Sequence, residues 1–341
     1  MTDTTTAYQA LTKHLAKAGY HFVCPSPETQ ARVVQKRSLA AYKYANNGEE
    51  FFGWNLPCAR QTLGLMIPDV IFESLLKASI IETSDNVHYR SKVRISNFYL
   101  PAVPSLDLDL GAAPLYYVHS AFPASSDSVF FGPDTYLFIA FLRGMTRHLL
   151  DPPKSIIDVC CGSGAGAIHM ARTYPHAQTY GMDLNPRALR LGSVNASLAG
   201  VSVDFQESNL YAAVSHRLKS SGVDLIVSNP PYIASSSDGE DLPIYADGGA
   251  ACGLDISRRI VEEGMEILSP SGILVLYTGV AIAASCPGYD TFLATLKSMD
   301  NVDIVEYTVL HPDMWSEEIG QGAYADIGRI QVVGAVLRAK R

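Results

Sequence analysis

From about residue 113 onward the apolar positions gather into short runs: KSIIDVCC (154–161), QTYGMDL (178–184), VDFQES (203–208), DLIVSNPPY (224–232) and GILVLYT (272–278). Stretches with helical spacing separate them, at 165–173, 186–198, 211–219 and 254–268. Strands alternating with helices predict an α/β fold whose parallel sheet is covered on both faces. The front third reads differently. Residues 8–19 and 28–47 carry helical periodicity, with Ser26 or Pro27 as the start of the second helix and Asn46-Asn47-Gly48 as its stop. The stretch from Pro68 to Phe98 reads as a helix, a short strand, a turn at Ser84-Asp85-Asn86 and a second strand, the outline of a winged-helix-like module. PAVPSLDLDLGAAP (101–114) is rich in proline and polar residues and is the expected linker. The boundaries that follow are a smaller N-terminal helical, winged-helix-like domain at 1–112 and a larger domain at 113–341.

Composition narrows the class. The chain has 341 residues, 48% hydrophobic and 18% charged, enough for one large or two modest cores. The longest apolar run, SGILVLYTGVAIAAS, is too short for a membrane span, and the start lacks the basic-then-apolar order of a signal peptide, so a cytoplasmic protein without a membrane partner is expected. Six cysteines without CxxC spacing and nine histidines without HExxH predict no bound metal and no disulfide framework. Net charge is −8, unevenly spread: residues 1–100 hold 11 Lys/Arg against 8 Asp/Glu, and the rest hold 15 against 26.

The chemistry begins at the end of the first run. In DVCCGSGAG (158–166), Gly162, Gly164 and Gly166 let the backbone turn sharply and approach a ligand before a helix starts. Asp183 ends the second run 25 residues after Asp158, where an acid can accept both hydroxyls of a ribose. The spacing is G-x-G-x-G rather than the G-x-G-x-x-G of a dehydrogenase, and Asp158 just ahead of it would repel a pyrophosphate. A cationic, zwitterionic cofactor suits that acid, and S-adenosylmethionine (SAM) has this chemistry. Asn209, after the third run, sits where it would reach the adenine.

These residues resemble the first motifs of class I SAM-dependent methyltransferases, with Cys160 in place of the first glycine of D-x-G-x-G-x-G. The resemblance implies a Rossmann-like seven-stranded sheet. It also implies a cofactor-binding set of Phe131, Asp158, Cys160, Gly162, Gly164, Asp183, Leu184, Asn209, Leu210 and Asn229. Phe131, with Phe130 and Tyr136, falls in the segment 126–142 that these enzymes use as a lid, where an aromatic face meets a sulfonium.

Asn229-Pro230-Pro231-Tyr232 closes the fourth run. It matches the [N/D]PP[Y/F] signature of methyltransferases that modify nitrogens on planar groups. Such a nitrogen has its lone pair delocalised and is a poor nucleophile. Donation of its two N–H groups to the Asn229 side-chain oxygen and the Pro230 carbonyl pulls it towards tetrahedral geometry, while Tyr232 stacks on the planar group. Asn229, Pro230 and Tyr232 are therefore the expected catalytic residues. The segment YADGGAACGLDISRRIVEEG (245–264) is similar to the one that follows this motif in release-factor glutamine methyltransferases.

The acceptor is read from charge. No Lys or Arg occurs from 220 to 257, whereas Asp224, Asp238, Glu240, Asp241, Asp247 and Asp255 do. Glu317 and Glu318 are expected to add negative charge at the pocket rim. Phosphates would be repelled. A small amino-acid-like metabolite bearing an amine, amide or guanidine is the favoured acceptor, with the front domain as a lid or a homodimer contact. The alternatives are a protein glutamine, a nucleic-acid base, and an enzyme that consumes SAM without an external acceptor.

Overall fold

A computed structural model describes residues 2–39, 43–85, 87–98, 115–235 and 242–340; the expected linker 101–114 and Asn86 of the expected turn lie outside them. The chain divides into two compact units, one of residues 1–124, 128–136 and 194–200, the other of 125–127, 137–193 and 201–341.

The first unit opens with α1 (Thr2–Lys17) and α2 (Pro27–Ser38). Ser26 caps α2 by accepting the Thr29 N–H at 3.3 Å, with Pro27 in the first turn, where its missing N–H costs nothing. The helix ends at Ser38 rather than at the expected 47. Further on, the Ala45 N–H donates to the Pro57 carbonyl at 2.8 Å and Tyr44 stacks on His88 at 4.1 Å, so tertiary partners override the helical periodicity there. Next come β1 (Cys58–Ala59), α3 (Arg60–Met66), α4 (Asp69–Lys77), β2 (Ile81–Thr83) and β3 (His88–Ser91), whose strands form an antiparallel sheet in the order β1-β3-β2. Phe51, Phe52, Leu63, Phe72 and Leu75 fill the core of this unit. A separate two-stranded ribbon joins β4 (Val93–Phe98) to β5 (Leu115–Ser120).

In the second unit, α5 (Pro133–Met145), which begins in the first, leads to β6 (Ser155–Val159), α6 (Ala165–Thr173), β7 (Gln178–Asp183) and α7 (Pro186–Ala199). After these come β8 (Asp204–Glu207), α8 (His216–Ser221) and β9 (Val223–Ser228), then a short parallel pair, β10 (Ile233–Ala234) and β11 (Asp247–Gly249). The single turn α9 (Ala250–Gly253), α10 (Asp255–Ile267), β12 (Leu268–Ala283), α11 (Thr291–Ser298), β13 (Val302–His311) and β14 (Ile327–Ala339) complete the unit. The seven-stranded sheet runs β13-β14-β12-β9-β6-β7-β8. Pairings are parallel from β12 to β8, and β14 alone runs against the rest of the sheet. β6 is buried at every position and β9 at all but Asp224, as expected for strands covered on both faces.

The helix expected at 211–219 is only α8. Leu210 takes a left-handed φ of +50°, and the Ser208 hydroxyl accepts the Ala213 N–H at 3.0 Å while donating to the Leu210 carbonyl at 2.7 Å. That side chain folds 208–213 into a turn instead. Among the described residues no helix is long and apolar enough to cross a membrane.

Candidate functional site

Sheet order locates the site. β6 is the first strand of the second unit; its successors β7 and β8 lie on one side, and β9 and β12 on the other. The order reverses between β6 and β9, and ligands of open α/β sheets bind beyond the carboxyl ends of the strands at such a point. Asp158 pairs with Val227, and Val159 with Ser228, so the glycine loop after β6 and the Asn229 corner after β9 leave the sheet side by side. The Ser228 hydroxyl donates to the Val159 carbonyl at 2.6 Å and ties the two exits together.

The loop after β6 turns through left-handed backbone at Cys160 (φ +58°), Gly162 (+52°) and Gly164 (+80°). A β-carbon on Gly162 would meet nothing within 4 Å, so this glycine faces open space, whereas one on Gly166 would stand 2.8 Å from Asp158 Oδ2. The first glycine leaves room for a ligand and the last lets α6 close over the acid. Gly162 donates its N–H to Asp183 Oδ2 at 2.8 Å, and Asn185 donates to Oδ1 at 2.9 Å. A carboxylate has about four lone-pair directions, so both oxygens keep acceptor capacity for hydroxyls.

Asp158 is 2% exposed and accepts the Ala167 N–H at 2.7 Å. Burial pushes its carboxyl up to about 8 and the nearby charge of Asp183 adds to this, with the Ala167 N–H opposing. Burial likewise raises Asp183, against the N–H groups of Asn185, Gly162 and Leu184. The buried Asp158 and the half-buried Asp183 suit the positive groups of SAM. Burial first, and then the charges of Asp183 and Asp158, hold the thiols of Cys160 and Cys161 protonated, which leaves no thiolate nucleophile here.

Leu184 is 55% exposed beside Asp183, and Asn209 is exposed after β8. The Leu210 side chain, by contrast, is buried in the core of the unit. Phe131, another of the expected cofactor residues, belongs to the first unit, where it is fully buried and stacked on Tyr117 at 4.9 Å and His119 at 5.3 Å.

The corner itself is built by glycines. Ile233 donates to the Ala246 carbonyl at 2.9 Å, pairing the chain after Tyr232 with β11. β-carbons on Gly248 and Gly253 would stand 2.6 Å from Tyr232 Cα and 2.1 Å from Tyr232 O. Gly248 and Gly253 are thus required by the close approach of two backbones, and Ala251 and Cys252 take left-handed φ of +53° and +54° to make the bend. Tyr232 is 6% exposed, and its phenol oxygen accepts the indole N–H of Trp315 at 2.7 Å. Tyr324 fixes the next turn, accepting the Ala234 N–H at 2.8 Å. Trp315 and Tyr324 are partners of the corner that no local pattern announces; the loop 312–326 that carries them also holds Glu317, which is exposed, and Glu318, which is half-buried.

The acidic window changes meaning. Asp224 lies at the amino end of β9, remote from the corner, where it accepts the N–H groups of Lys154 (2.9 Å) and Ser155 (3.2 Å) and the Ser269 hydroxyl (2.9 Å). Asp247 accepts the Ser235 hydroxyl at 2.6 Å and the Gly249 N–H at 2.9 Å, holding the turn. Asp238, Glu240 and Asp241 lie outside the described residues.

Residues 140–302 match the family model of the methyltransferase small domain. The release factor glutamine methyltransferase of Deinococcus radiodurans is 38% identical over 130 residues, 36% of this chain and 44% of its own length. The ribosomal protein uL3 glutamine methyltransferase of Bordetella pertussis is 34% identical over 147 residues, 40% of this chain and 48% of its own. Among solved structures, the 16S rRNA N2 G1207 methyltransferase of T. thermophilus, in complex with AdoMet and guanosine, aligns over 84% of this chain and 64% of its own at 14% identity and a TM-score of 0.45. The chain spans about half the length of the curated relatives it matches. The resemblance to class I SAM-dependent N-methyltransferases is borne out by the family match and by these relatives.

Proposed function

We propose that the chain transfers the methyl group of SAM to the side-chain amide nitrogen of a glutamine in a protein. The observation that carries this reading is the Asn229-Pro230-Pro231-Tyr232 corner at the point where strand order reverses, next to a glycine loop and a ribose acid, in a domain whose relatives are named for glutamine methylation. The small metabolite favoured from charge alone gives way to a protein: Asp224 and Asp247 are engaged in holding turns, and a neutral amide needs no acid to attract it.

SAM supplies an electrophilic methyl group. Gly162 and its neighbours would give its methionine portion room, the Asp183 carboxylate would accept from its ribose hydroxyls, and Asn209 and Leu184 would lie on its adenine side. Asn229 accepts one amide N–H through its side-chain oxygen, and the Pro230 carbonyl accepts the other. With both protons held, the nitrogen lone pair is turned away from the amide π system. Pro230 is buried, its ring fixes φ and the following Pro231 restricts its ψ, so its carbonyl direction is set before the acceptor arrives. Tyr232 keeps the amide plane from rotating. No strong base is required, because the amide proton becomes acidic only as the new bond forms.

The test is incubation of the purified protein with isotopically labelled SAM and a cell lysate, followed by mass spectrometry of proteolytic peptides. N5-methylglutamine is expected. Label confined to metabolites or to RNase-sensitive material would overturn the protein-glutamine reading.

A further inference from the structure

Tyr232 is held by a contact that its local sequence does not announce. Its backbone is gripped by Gly248 and Gly253, and its ring lies over Gly279, where a β-carbon would stand 2.3 Å from Cδ2. Those contacts fix where the ring is, yet leave the phenol end to be set by its polar partner. That partner is the indole N–H of Trp315, 2.7 Å from the phenol oxygen and half-exposed on the loop between β13 and β14.

Trp315 itself sits in a costly backbone conformation, φ +61° and ψ +41°, which a bulky residue rarely adopts. Flanking hydrogen bonds hold it there. Met314 donates to the Ile330 carbonyl at 2.7 Å, Ile330 donates to Asp313 Oδ1 at 3.0 Å, and Glu318 donates to the Trp315 carbonyl at 3.0 Å. Strain kept by surrounding structure gathers at functional positions, and here its product is an indole aimed at an expected catalytic side chain.

Resting on the methyltransfer reading above, we infer that Trp315 is a positioning residue: its indole N–H holds the Tyr232 phenol so that the ring presents a fixed face to the planar acceptor. Trp315 acts through Tyr232 and not on SAM. The loop 312–326 thereby joins the acceptor side of the site, with Tyr324 anchoring it to the backbone two residues beyond Tyr232.

The experiment is a double-mutant cycle of Trp315→Phe and Tyr232→Phe, read as kcat and KM on whichever acceptor takes up label, as SAM Kd by calorimetry, and as Tm. Trp315→Phe keeps an aromatic ring and removes the donor; Tyr232→Phe removes the acceptor. Trp315→Phe alone is expected to lower kcat about tenfold with SAM Kd within about twofold of wild type. Placed in the Tyr232→Phe background it is expected to change kcat less than about twofold. Independent effects that multiply, or a loss confined to Tm or SAM Kd, would overturn the inference and leave the methyltransfer reading standing. A wild-type protein that binds SAM but labels no fraction would overturn the reading, and this inference with it.

Discussion

Gly279 lies directly beneath the ring of Tyr232, so close that a β-carbon would stand 2.3 and 2.5 Å from two of its ring carbons. Gly279 is on β12 and Tyr232 follows β9, the strand paired with it. The sheet therefore fixes the aromatic floor of the corner. Gly279→Ala is expected to displace the ring and lower kcat by about tenfold or more, since small misplacements of positioning groups cost rate steeply. SAM Kd from calorimetry should stay within about twofold; an unchanged kcat would show that the ring position does not matter.

Gly253 makes a harsher test of the corner. It combines φ +83° with a β-carbon position 2.1 Å from the Tyr232 carbonyl oxygen. Left-handed strain of about 1–2 kcal/mol and overpacking of about 1–3 kcal/mol both oppose a side chain there. Gly253→Ala should lower the unfolding free energy by about 2 kcal/mol or more in urea titration, whereas Gly288→Ala, which meets nothing within 4 Å, should be close to neutral.

Asn229→Ala removes a proposed acceptor of an amide proton and leaves in place the Gly162–Asp183 hydrogen bond of the glycine loop. The expected loss is about 100-fold or more in kcat, the size seen when one preorganised polar partner of a transition state is removed. SAM Kd should be near normal by calorimetry. Asp183→Ala should do the reverse, because it frees the Gly162 and Asn185 N–H groups and removes the ribose acceptor. A weakening of SAM binding by about tenfold to a hundredfold is expected.

Asp158 sets a pH dependence with a definite sign. Burial raises its carboxyl from an ordinary 3.8 to about 8 in the folded protein, so between those values the folded state keeps a proton that the unfolded chain has released. Stability of the SAM-free protein should therefore fall as pH rises from about 4 to about 8, this group contributing at most about 1.4 kcal/mol per pH unit. Asp158→Asn should flatten that slope in thermal melts at pH 5, 6, 7 and 8. Binding of a cation beside Asp158 favours its ionised form, so SAM affinity should rise with pH over the same range in the wild type and not in Asp158→Asn.

The glycine loop and the proline corner of the second unit were legible as strand ends because each piece is local. Gly162, Gly164, Asp183 and the Asn229 corner all lie within a few residues of a strand end, and an apolar run broken by glycine, acid or proline marks such an end in one dimension. The same pattern misled at 211–219 and 28–47, where the Ser208 hydroxyl and the pairing of Ala45 with Pro57 outweigh helical spacing. β13 and β14 passed unread as well, since β13 is only partly buried along most of its length and lacks a continuous apolar signal.

Sequence alone determined the alternation of strands and helices from β6 to β9, with α10 and β12, and it placed the glycine loop and the NPPY corner at strand ends, because these rest on backbone geometry that glycine, proline and strand periodicity dictate over short spans. Tertiary structure decided what surrounds that corner. Trp315 reaches Tyr232 across 83 residues and Tyr324 reaches Ala234 across 90. Gly279 owes its lack of a side chain to Tyr232, Gly253 owes it to Tyr232 as well as to its own positive φ, and Asp224 is carried to the amino end of the sheet by the length of β9. Such relationships arise only when strands pair and loops dock, so no local pattern records them.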